Sequence, residues 1–194
     1  MQVSVRIAHE RDLDQAADTL ADAFADYPWT RYVIPPQGYR DRLRSLQRLY
    51  LGHALTHGVV AITDTCAGVI AVLPPDAPDP APPIIDQIIA LHGDRIDRLS
   101  SADAPPQAWR LETLGVLPAH RGHGVASLLL QFALDGVGQR GGKHVALDTS
   151  DPRNVRLYER HGFVVTSHAQ DAEAPPVWSM VHTLTATSVG TSQP

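Results

Sequence analysis

The segment that most constrains the fold lies in the second half of the chain, where a strand pattern changes into a helix pattern across a short turn. Residues 108–117 have the composition of a strand, and apolar side chains recur at helical spacing from Val125 to Gly138. The turn between them contains two glycines and the basic residue Arg121. The sequence therefore predicts a strand–turn–helix unit with a basic, glycine-containing turn.

The glycines of this turn remove side chains, so that successive backbone N–H groups can approach a bound anion closely. The helix that begins behind them adds the positive end of its dipole, and Arg121 can add a charge-assisted hydrogen bond. These features predict a pyrophosphate site, although a glycine turn without a ligand has the same composition. The dinucleotide fingerprint G-x-G-x-x-G and the P-loop Lys-Ser/Thr pair are both absent, so neither a nicotinamide cofactor nor ATP is expected.

The rest of the chain alternates between the two periodicities, beginning with a strand whose buried face is expected to contain Val3, Val5 and Ile7. The predicted order is β-α-α-β-β-α-β-α-β-α-β-β, which indicates an α/β fold with a mixed central sheet flanked by helices. We expect one domain over residues 1–185 and a flexible tail over 186–194. Besides the unit above, helices are expected at 13–24, 39–55, 84–99 and 154–161, a hairpin at 58–74, and strands at 143–149, 163–168 and 177–184.

Composition argues against several classes of function. A net charge of −5 over 194 residues gives no broad basic field, so nucleic acid is not an expected partner. The single cysteine, Cys66, excludes an internal disulfide, and His120 and His123 lack a third ligand at a recognisable spacing, so no metal is expected. The N-terminus lacks the apolar core of a signal peptide, and no apolar run is long enough to span a membrane. We therefore expect a cytoplasmic protein without a membrane partner.

Two motifs together carry a family resemblance. Residues 121–126 match the R/Q-x-x-G-x-G/A signature of the GNAT acetyltransferases, and residues 154–163 resemble the N-x-x-L-Y-E-x-x-G-F segment of the same superfamily. The two motifs at this separation are more specific than either one alone, and the similarity is strongest over residues 109–184. Within the superfamily, the actinobacterial proteins related to puromycin N-acetyltransferase are the most similar group, on residues 111–116, 148–150 and 177–180.

The resemblance implies the GNAT acyl-CoA N-acyltransferase fold and acetyl-CoA as the co-substrate, whose acetyl group passes directly to a primary amine. It also implies that the backbone of Leu114 and Val116 pairs with the pantetheine arm, on a strand that is bulged and splays away from its neighbour. Gly115 is compatible with such a bulge. The turn residues implied for cofactor binding are Arg121, Gly122, His123, Gly124, Val125 and Ala126.

Three side chains are candidates for the chemistry. A base is useful because a primary amine with a pKa of about 10 is less than about 1% neutral at pH 7. Glu112 is the candidate base, since Leu114 and Val116 on the same face would raise its pKa, and pairing with an arginine is the alternative. By resemblance, Asn154 holds the pantetheine amide while Tyr158, one helical turn later, contacts the departing thiolate. A buried tyrosine with a purely structural role is the alternative for Tyr158.

An aromatic-rich loop after the first helix is the candidate acceptor site, because the resemblance places acceptor-binding elements in this region. Trp29 and Tyr32, with Tyr27 nearby and Trp178 on the last strand, are predicted to form the walls of a pocket. Packing in the hydrophobic core is the alternative for all four.

The expected acceptor is a small-molecule amine, either antibiotic-like or amino-acid-like. A protein N-terminus or a lysine side chain is the second enzymatic hypothesis. A non-catalytic acetyl-CoA-binding module is the hypothesis from a different class, and the retention of Glu112, Asn154 and Tyr158 argues against it. The oligomeric state is not readable from the sequence, and a homodimer is compatible with it.

Overall fold

The computed structural model describes residues 3–99 and 105–184. The strands in these residues are β1 (Val5–Ile7), β2 (Val59–Thr63), β3 (Gly68–Leu73), β4 (Trp109–Val116), β5 (His144–Thr149), β6 (Phe163–Ala169) and β7 (Val177–Thr183). The helices are α1 (Leu13–Ala23), α2 (Pro28–Val33), α3 (Tyr39–His57), α4 (Pro82–His92), α5 (Val125–Gln139) and α6 (Pro152–Arg160). The strands form one mixed sheet in the order β1-β2-β3-β4-β5-β7-β6. The predicted α/β class is therefore confirmed.

The sheet is buried on both faces in its centre, where β2 and β3 are completely buried. Alternation along β2 places Val59 and Ala61 in the same cluster as the apolar side chains of α5. The intervening Val60 and Ile62 pack with α1 and α3 on the opposite face. Burial on two faces explains why the hairpin sequence is apolar almost without interruption.

The sheet opens between β4 and β5. These two strands are parallel and pair only at Trp109 with Val145 and at Arg110 with Ala146. β3 and β4, in contrast, stay paired from Arg110 to Val116. Beyond Arg110, the backbone groups of β4 that face β5 therefore have no partner strand, and the expected splay is present.

A bulge in β4 lies at Glu112. Across the β3–β4 ladder, Ala71 pairs with Thr113 and the next residue, Val72, pairs with Leu111. Two steps along β4 thus correspond to one step along β3, and Glu112 has no opposite residue. A bulge in this strand is therefore present, but it lies at Glu112 and not at Gly115.

Close packing, and not the bulge, explains why residue 115 is a glycine. It lies in regular register opposite Val69. A Cβ at this position would lie 2.6 Å from Leu20 Cδ2 and 3.1 Å from Ala23 Cβ, both on α1. Glycine is needed here because the last turns of α1 pack directly on the backbone of β4.

Two helices differ from the predicted boundaries. α2 was not predicted, because Tyr27-Pro28 was interpreted as a helix end; proline instead occupies the first turn of a new helix, where its missing N–H is not needed. The single helix predicted over 84–99 ends as α4 at His92. Gly93 has a φ of +55°, and a short 3-10 segment, Gly93–Arg98, follows.

The first strand is less buried than its alternating pattern predicts. Val3 and Ile7 retain 40% and 43% exposure, while Val5 is half-buried. β1 pairs only with β2 and forms an edge of the sheet, so that little covers its outer side. Of the three apolar side chains, only Val5 therefore packs against the core.

The predicted tail, 186–194, lies outside the described residues. Within the described part of the chain, every helix is too short or too polar to cross a membrane.

The packing of α1 on β4 predicts the effect of Gly115→Ala. The added methyl group must displace the buried Leu20 side chain and the rigid Ala23, so we expect a loss of about 1–2 kcal/mol in the free energy of unfolding. Gly138→Ala is the control, since it adds a methyl group in open space on α5 and should stabilise by roughly 0.5 kcal/mol. Urea denaturation measures both, and equal stabilities for the two variants would contradict this account of Gly115.

Candidate active site

Two cavities adjoin at the opening between β4 and β5. The smaller, of about 470 Å³, lies between the end of α1, the end of β4, the turn before α5 and helix α6. The larger, of about 930 Å³, is bordered by α2, α3, α4 and the strands β4, β5, β6 and β7. The side chains or backbone that line both are Phe24, Tyr27, Leu114, Asn154 and Tyr158.

The turn before α5 has the backbone geometry of an anion site. Gly122 and Gly124 have φ values of +78° and +77°, in the left-handed region that strongly favours glycine. A Cβ on either would have no neighbour within 4 Å, so the backbone borders open space. Gly124 is the N-cap of α5, and Gly122, Gly124, Val125 and Ala126 all line the smaller cavity. Unpaired N–H groups and the positive helix end therefore border this cavity.

Arg121 connects three parts of the smaller cavity. Its Nη2 donates to the carbonyl oxygen of Ala23 at 2.7 Å, and its Nε donates to the carbonyl oxygen of Val116 at 3.2 Å. The side chain thus ties the turn to the ends of α1 and β4, besides lining the cavity. His123, in contrast, is exposed and lies outside the cavity lining.

Basic residues of α6 also reach the smaller cavity, and the sequence analysis missed them. Arg153 lines it while forming an ion pair with Asp151 at 2.7 Å, and Arg160 lines it two turns later. The spacing of seven residues places both on one face of the helix. This spacing was the sequence signal that could have identified the two arginines as neighbours on one helix face.

Glu112 faces the larger cavity from the bulge of β4. Its Oε1 accepts a hydrogen bond from Arg110 Nε at 2.5 Å, and its side chain keeps 27% exposure. The predicted apolar surroundings are therefore wrong, because the bulge removes Glu112 from the regular alternation with Leu114 and Val116. The alternative, pairing with an arginine, is what the structure shows.

Tyr158 lies where the cavities adjoin, and only 6% of it is exposed. Burial raises the pKa of Tyr158 well above its usual value of about 10. The phenol is therefore protonated throughout the physiological range and is a weaker acid than a free tyrosine. Such a hydroxyl is suited to donate a hydrogen bond to a developing thiolate without giving up its proton.

Asn154 and Tyr27 belong to one hydrogen-bond network at the end of β5. Asn154 Nδ2 donates to Thr149 Oγ1 at 3.3 Å, which turns its carbonyl oxygen towards other donors. The Tyr27 hydroxyl accepts the Ser150 N–H at 2.6 Å and is hydrogen-bonded to Thr149 Oγ1 at 3.0 Å. Tyr27 thereby joins the segment before α2 to β5, a role that its place in an aromatic-rich loop did not reveal.

The two predicted acceptor residues have different positions. Trp29 lines the larger cavity, whereas Tyr32 does not. The ring of Tyr32 packs against Trp29, 5.9 Å between centroids, and is covered by the guanidinium of Arg98 at 4.8 Å. Trp178 stacks on His168 and is also outside the lining. Tyr32 thus packs beside Trp29 and is not part of the cavity lining.

Three polar residues of the larger cavity were missed by the sequence analysis. Gln47 and Tyr50 project from α3 and His92 from α4, among apolar neighbours. Gln47 and Tyr50 share a helix face with the buried Leu43 and Leu46. A glutamine on an otherwise apolar face was a readable signal for the first two, whereas His92 required the tertiary structure.

No group of three or more His, Cys, Asp or Glu side chains is placed to hold a metal ion in residues 3–99 and 105–184. The buried Cys66 lies in the β2–β3 turn and lines neither cavity. The polar side chains that line the two cavities include tyrosines, an asparagine and carboxylates.

Comparisons with known proteins agree with this architecture. The model of the acetyltransferase (GNAT) family matches residues 18–163. The protein therefore belongs to the GNAT acetyltransferase family. Members of this family are acyltransferases that use acetyl-CoA.

Solved structures with the same fold act on different kinds of acceptor. A Corynebacterium glutamicum protein described as histone acetyltransferase HPA2 and related acetyltransferase has a TM-score of 0.74 and 24% identity, over 96% of this chain and 99% of its own. A mosquito arylalkylamine N-acetyltransferase like 5b has a TM-score of 0.58 and 20% identity, over 94% and 100%. The NatC complex bound to Gag peptide and CoA has a TM-score of 0.55 and 18% identity, over 95% and 100%. These similarities show the fold, and they leave the acceptor of this chain open.

The glycine turn predicts the effect of Gly124→Ala on cofactor binding. We expect about tenfold weaker binding of acetyl-CoA, because a methyl group beside the α5 N-terminus holds the diphosphate away from the amides. The left-handed φ should also lower stability by about 1 kcal/mol. Calorimetric titration with acetyl-CoA measures the first effect, and denaturation the second.

Gly141→Ala is the matched control. Gly141 has a φ of +76°, open space around its Cβ and no place in either cavity lining. Gly141→Ala should lower the free energy of unfolding as much as Gly124→Ala does. Its Kd for acetyl-CoA should equal that of the unmodified protein. Equal affinities in both variants would exclude the turn as the diphosphate site.

Proposed function

We propose that the protein is a single-domain enzyme, spanning residues 1–185, that transfers the acetyl group of acetyl-CoA to the primary amine of a small molecule. The observation that carries this proposal is the junction of the two cavities at Tyr158 and Leu114. A long cofactor in the smaller cavity has its thioester end directed to the larger one. The larger volume, about 930 Å³, is that of a small-molecule site.

The smaller cavity suits the cofactor along its length. The amides of residues 122–126 meet the diphosphate, and Arg160 adds positive charge nearby. Leu114, Gly115 and Val116 line the same cavity, and the backbone of β4 that faces β5 has no partner strand there. The pantetheine arm would pair with this backbone, and its amide N–H would reach the carbonyl oxygen of Asn154.

The larger cavity suits an amine with an apolar body. Trp29, Val33 and Leu43 are among its apolar walls, and two carboxylates, Glu112 and Asp148, also line it. Thr113 also lines this cavity, and its buried hydroxyl has no hydrogen-bond partner among the described residues.

The reaction follows from this placement. Glu112 takes a proton from the acceptor's ammonium group, and the neutral nitrogen attacks the thioester carbonyl carbon. The C–N bond forms while charge on the carbonyl oxygen is stabilised by a backbone N–H of β4. The C–S bond then breaks, and the Tyr158 hydroxyl donates a hydrogen bond to the leaving thiolate. Because the pKa of Tyr158 is raised, the thiol proton comes from the acylated amine or from solvent.

Direct transfer needs no covalent enzyme intermediate. Cys66 is the only cysteine of the chain, and it is buried in a turn outside both cavities. In the proposed mechanism the amine attacks the thioester itself while both substrates are bound.

The narrower resemblance to proteins related to puromycin N-acetyltransferase stays a prediction. It supports an antibiotic-like amine as the first acceptor class to be assayed. Peptides that present a free N-terminus or a lysine represent the second enzymatic hypothesis.

Acetyl-CoA binding followed by an acceptor screen tests the proposal. A saturating concentration of about 100 times Kd should raise the free energy of unfolding by roughly 2.7 kcal/mol. Thiol release is then measured with aryl-alkyl amines, amino acids, antibiotic amines and peptides. Faster turnover of peptides would replace the small-molecule assignment with protein acetylation. Binding of acetyl-CoA without turnover of any acceptor would indicate a non-catalytic module.

The position of Tyr158 predicts a specific kinetic defect for Tyr158→Phe. Loss of a hydrogen bond to the leaving thiolate should lower kcat about 10- to 100-fold, while the Kd for acetyl-CoA changes little. Tyr32→Phe is the matched control, because Tyr32 lies outside both cavity linings. Steady-state kinetics with the best amine of the screen measures both variants. An unchanged kcat in Tyr158→Phe would remove this residue from the mechanism.

A further inference from the structure

The wall of the larger cavity formed by α3 and α4 contains polar groups that the mechanism above does not use. Gln47 is 8% exposed and His92 is 2% exposed, and both line the cavity together with Tyr50. Their neighbours in the wall include Val33, Ile34 and other apolar side chains. Gln47 has no hydrogen-bond partner among the described residues, so its side chain is available to a ligand in the cavity.

The tautomer of His92 follows from its contacts. Its Nδ1 lies 2.8 Å from the carbonyl oxygen of Val33, which can only accept a hydrogen bond, so Nδ1 carries the proton. Burial lowers the pKa of His92 below its usual value, and the ring is neutral at pH 7. Nε2 therefore has a free lone pair.

This lone pair is the hydrogen-bond acceptor that the structure offers to the Tyr50 hydroxyl. Tyr50 Oη lies 3.5 Å from His92 Nε2, and only the hydroxyl has a proton to donate. With its proton turned to His92, Tyr50 presents oxygen lone pairs to the cavity. Burial and the nearby carboxylate of Glu112 raise the pKa of Tyr50 to about 12, so the hydroxyl stays neutral. Tyr50 and Glu112 thus offer two hydrogen-bond acceptors to the same cavity.

We propose that Tyr50 binds the amino group of the acceptor beside Glu112, and that His92 is a positioning residue that orients the Tyr50 hydroxyl for this purpose. The proposal deepens the function proposed above and rests on its assignment of the larger cavity to the acceptor. An amino group brings N–H donors and no competing lone pair while it is protonated, which matches a cavity lined by these two acceptors.

The arrangement also defines a class of acceptor. Tyr50 and Glu112 share the cavity with many apolar side chains, and a hydrogen-bond acceptor left without a donor in such surroundings is penalised. The cavity should therefore prefer an amine on an apolar body over a molecule of the same shape that lacks N–H donors. Gln47, three residues before Tyr50 on the same helix face, offers a further contact for a second polar group.

Binding of 2-phenylethylamine to the complex of the enzyme with CoA tests the proposal without requiring turnover. The Kd is measured by NMR titration for the unmodified enzyme, Tyr50→Phe, His92→Asn and the double variant. Tyr50→Phe removes the acceptor oxygen and should raise the Kd about tenfold. His92→Asn places an amide near the Nδ1 position, where it can still donate to Val33, but it lacks the acceptor for Tyr50. It should raise the Kd several-fold.

The double variant separates a coupled pair from two independent contacts. If His92 acts only through Tyr50, the double variant should bind the amine as weakly as Tyr50→Phe alone. Tyr39→Phe is the matched control, because this buried tyrosine of α3 bonds Thr30 at 2.8 Å and does not line the cavity. Its amine Kd should be unchanged, and CoA affinity should be unchanged in every variant.

Three results would each overturn the proposal. The first is a Kd for Tyr50→Phe within twofold of the unmodified enzyme, and the second is a Kd for the double variant that equals the product of the two single effects. The third is a loss of amine affinity in Tyr39→Phe equal to that in Tyr50→Phe. Absence of amine binding to the unmodified complex would overturn it as well. Amine binding with the expected pattern but without acetyl transfer would sustain it and would instead reject the enzymatic function proposed above.

Discussion

The separation of β4 from β5 is the constraint on which the rest of the site depends. The two strands share only two residue pairs, and the bulge at Glu112 follows directly after them on β4. A regular parallel ladder would use the backbone groups of β4 and close the space between the two cavities. Because the ladder stops at Arg110, the sheet contains an opening with unpaired backbone on one side and the end of β5 on the other. Both substrates of an acyl transfer can meet in such an opening.

An opening in a sheet needs other contacts to hold its edges, and the segment around the end of α1 supplies them. Gly115 lets this helix pack on the backbone of β4, and Arg121 bonds the carbonyl groups of Ala23 and Val116. On the other side, the hydroxyl of Tyr27 accepts the N–H of Ser150 at the end of β5. The two strands are thus joined through α1 and the residues after it, while the space between them stays open.

The polar groups of the site differ in how readily the sequence reveals them. The glycine turn and the pair Asn154 and Tyr158 are local patterns, in which residues near in sequence share a turn or a helix face. The environment of Glu112 was predicted wrongly, because alternation along a strand assumes a regular register and a bulge shifts it. Tyr32 was assigned to the pocket because it lies in an aromatic-rich loop, yet a short unpredicted helix turns it towards Arg98.

The sequence by itself determined the α/β class, most of the strands and helices, the glycine turn and the family, because each depends on periodicity or on residues close in the chain. Only the tertiary structure decided which side chains line the larger cavity. Tyr50, His92 and Glu112 come from two helices and a strand that are far apart in sequence, and their proximity follows from the packing of α3 and α4 beside the opened sheet. The direction of a hydroxyl such as that of Tyr50 depends on the tautomer of its neighbour, which no local pattern specifies.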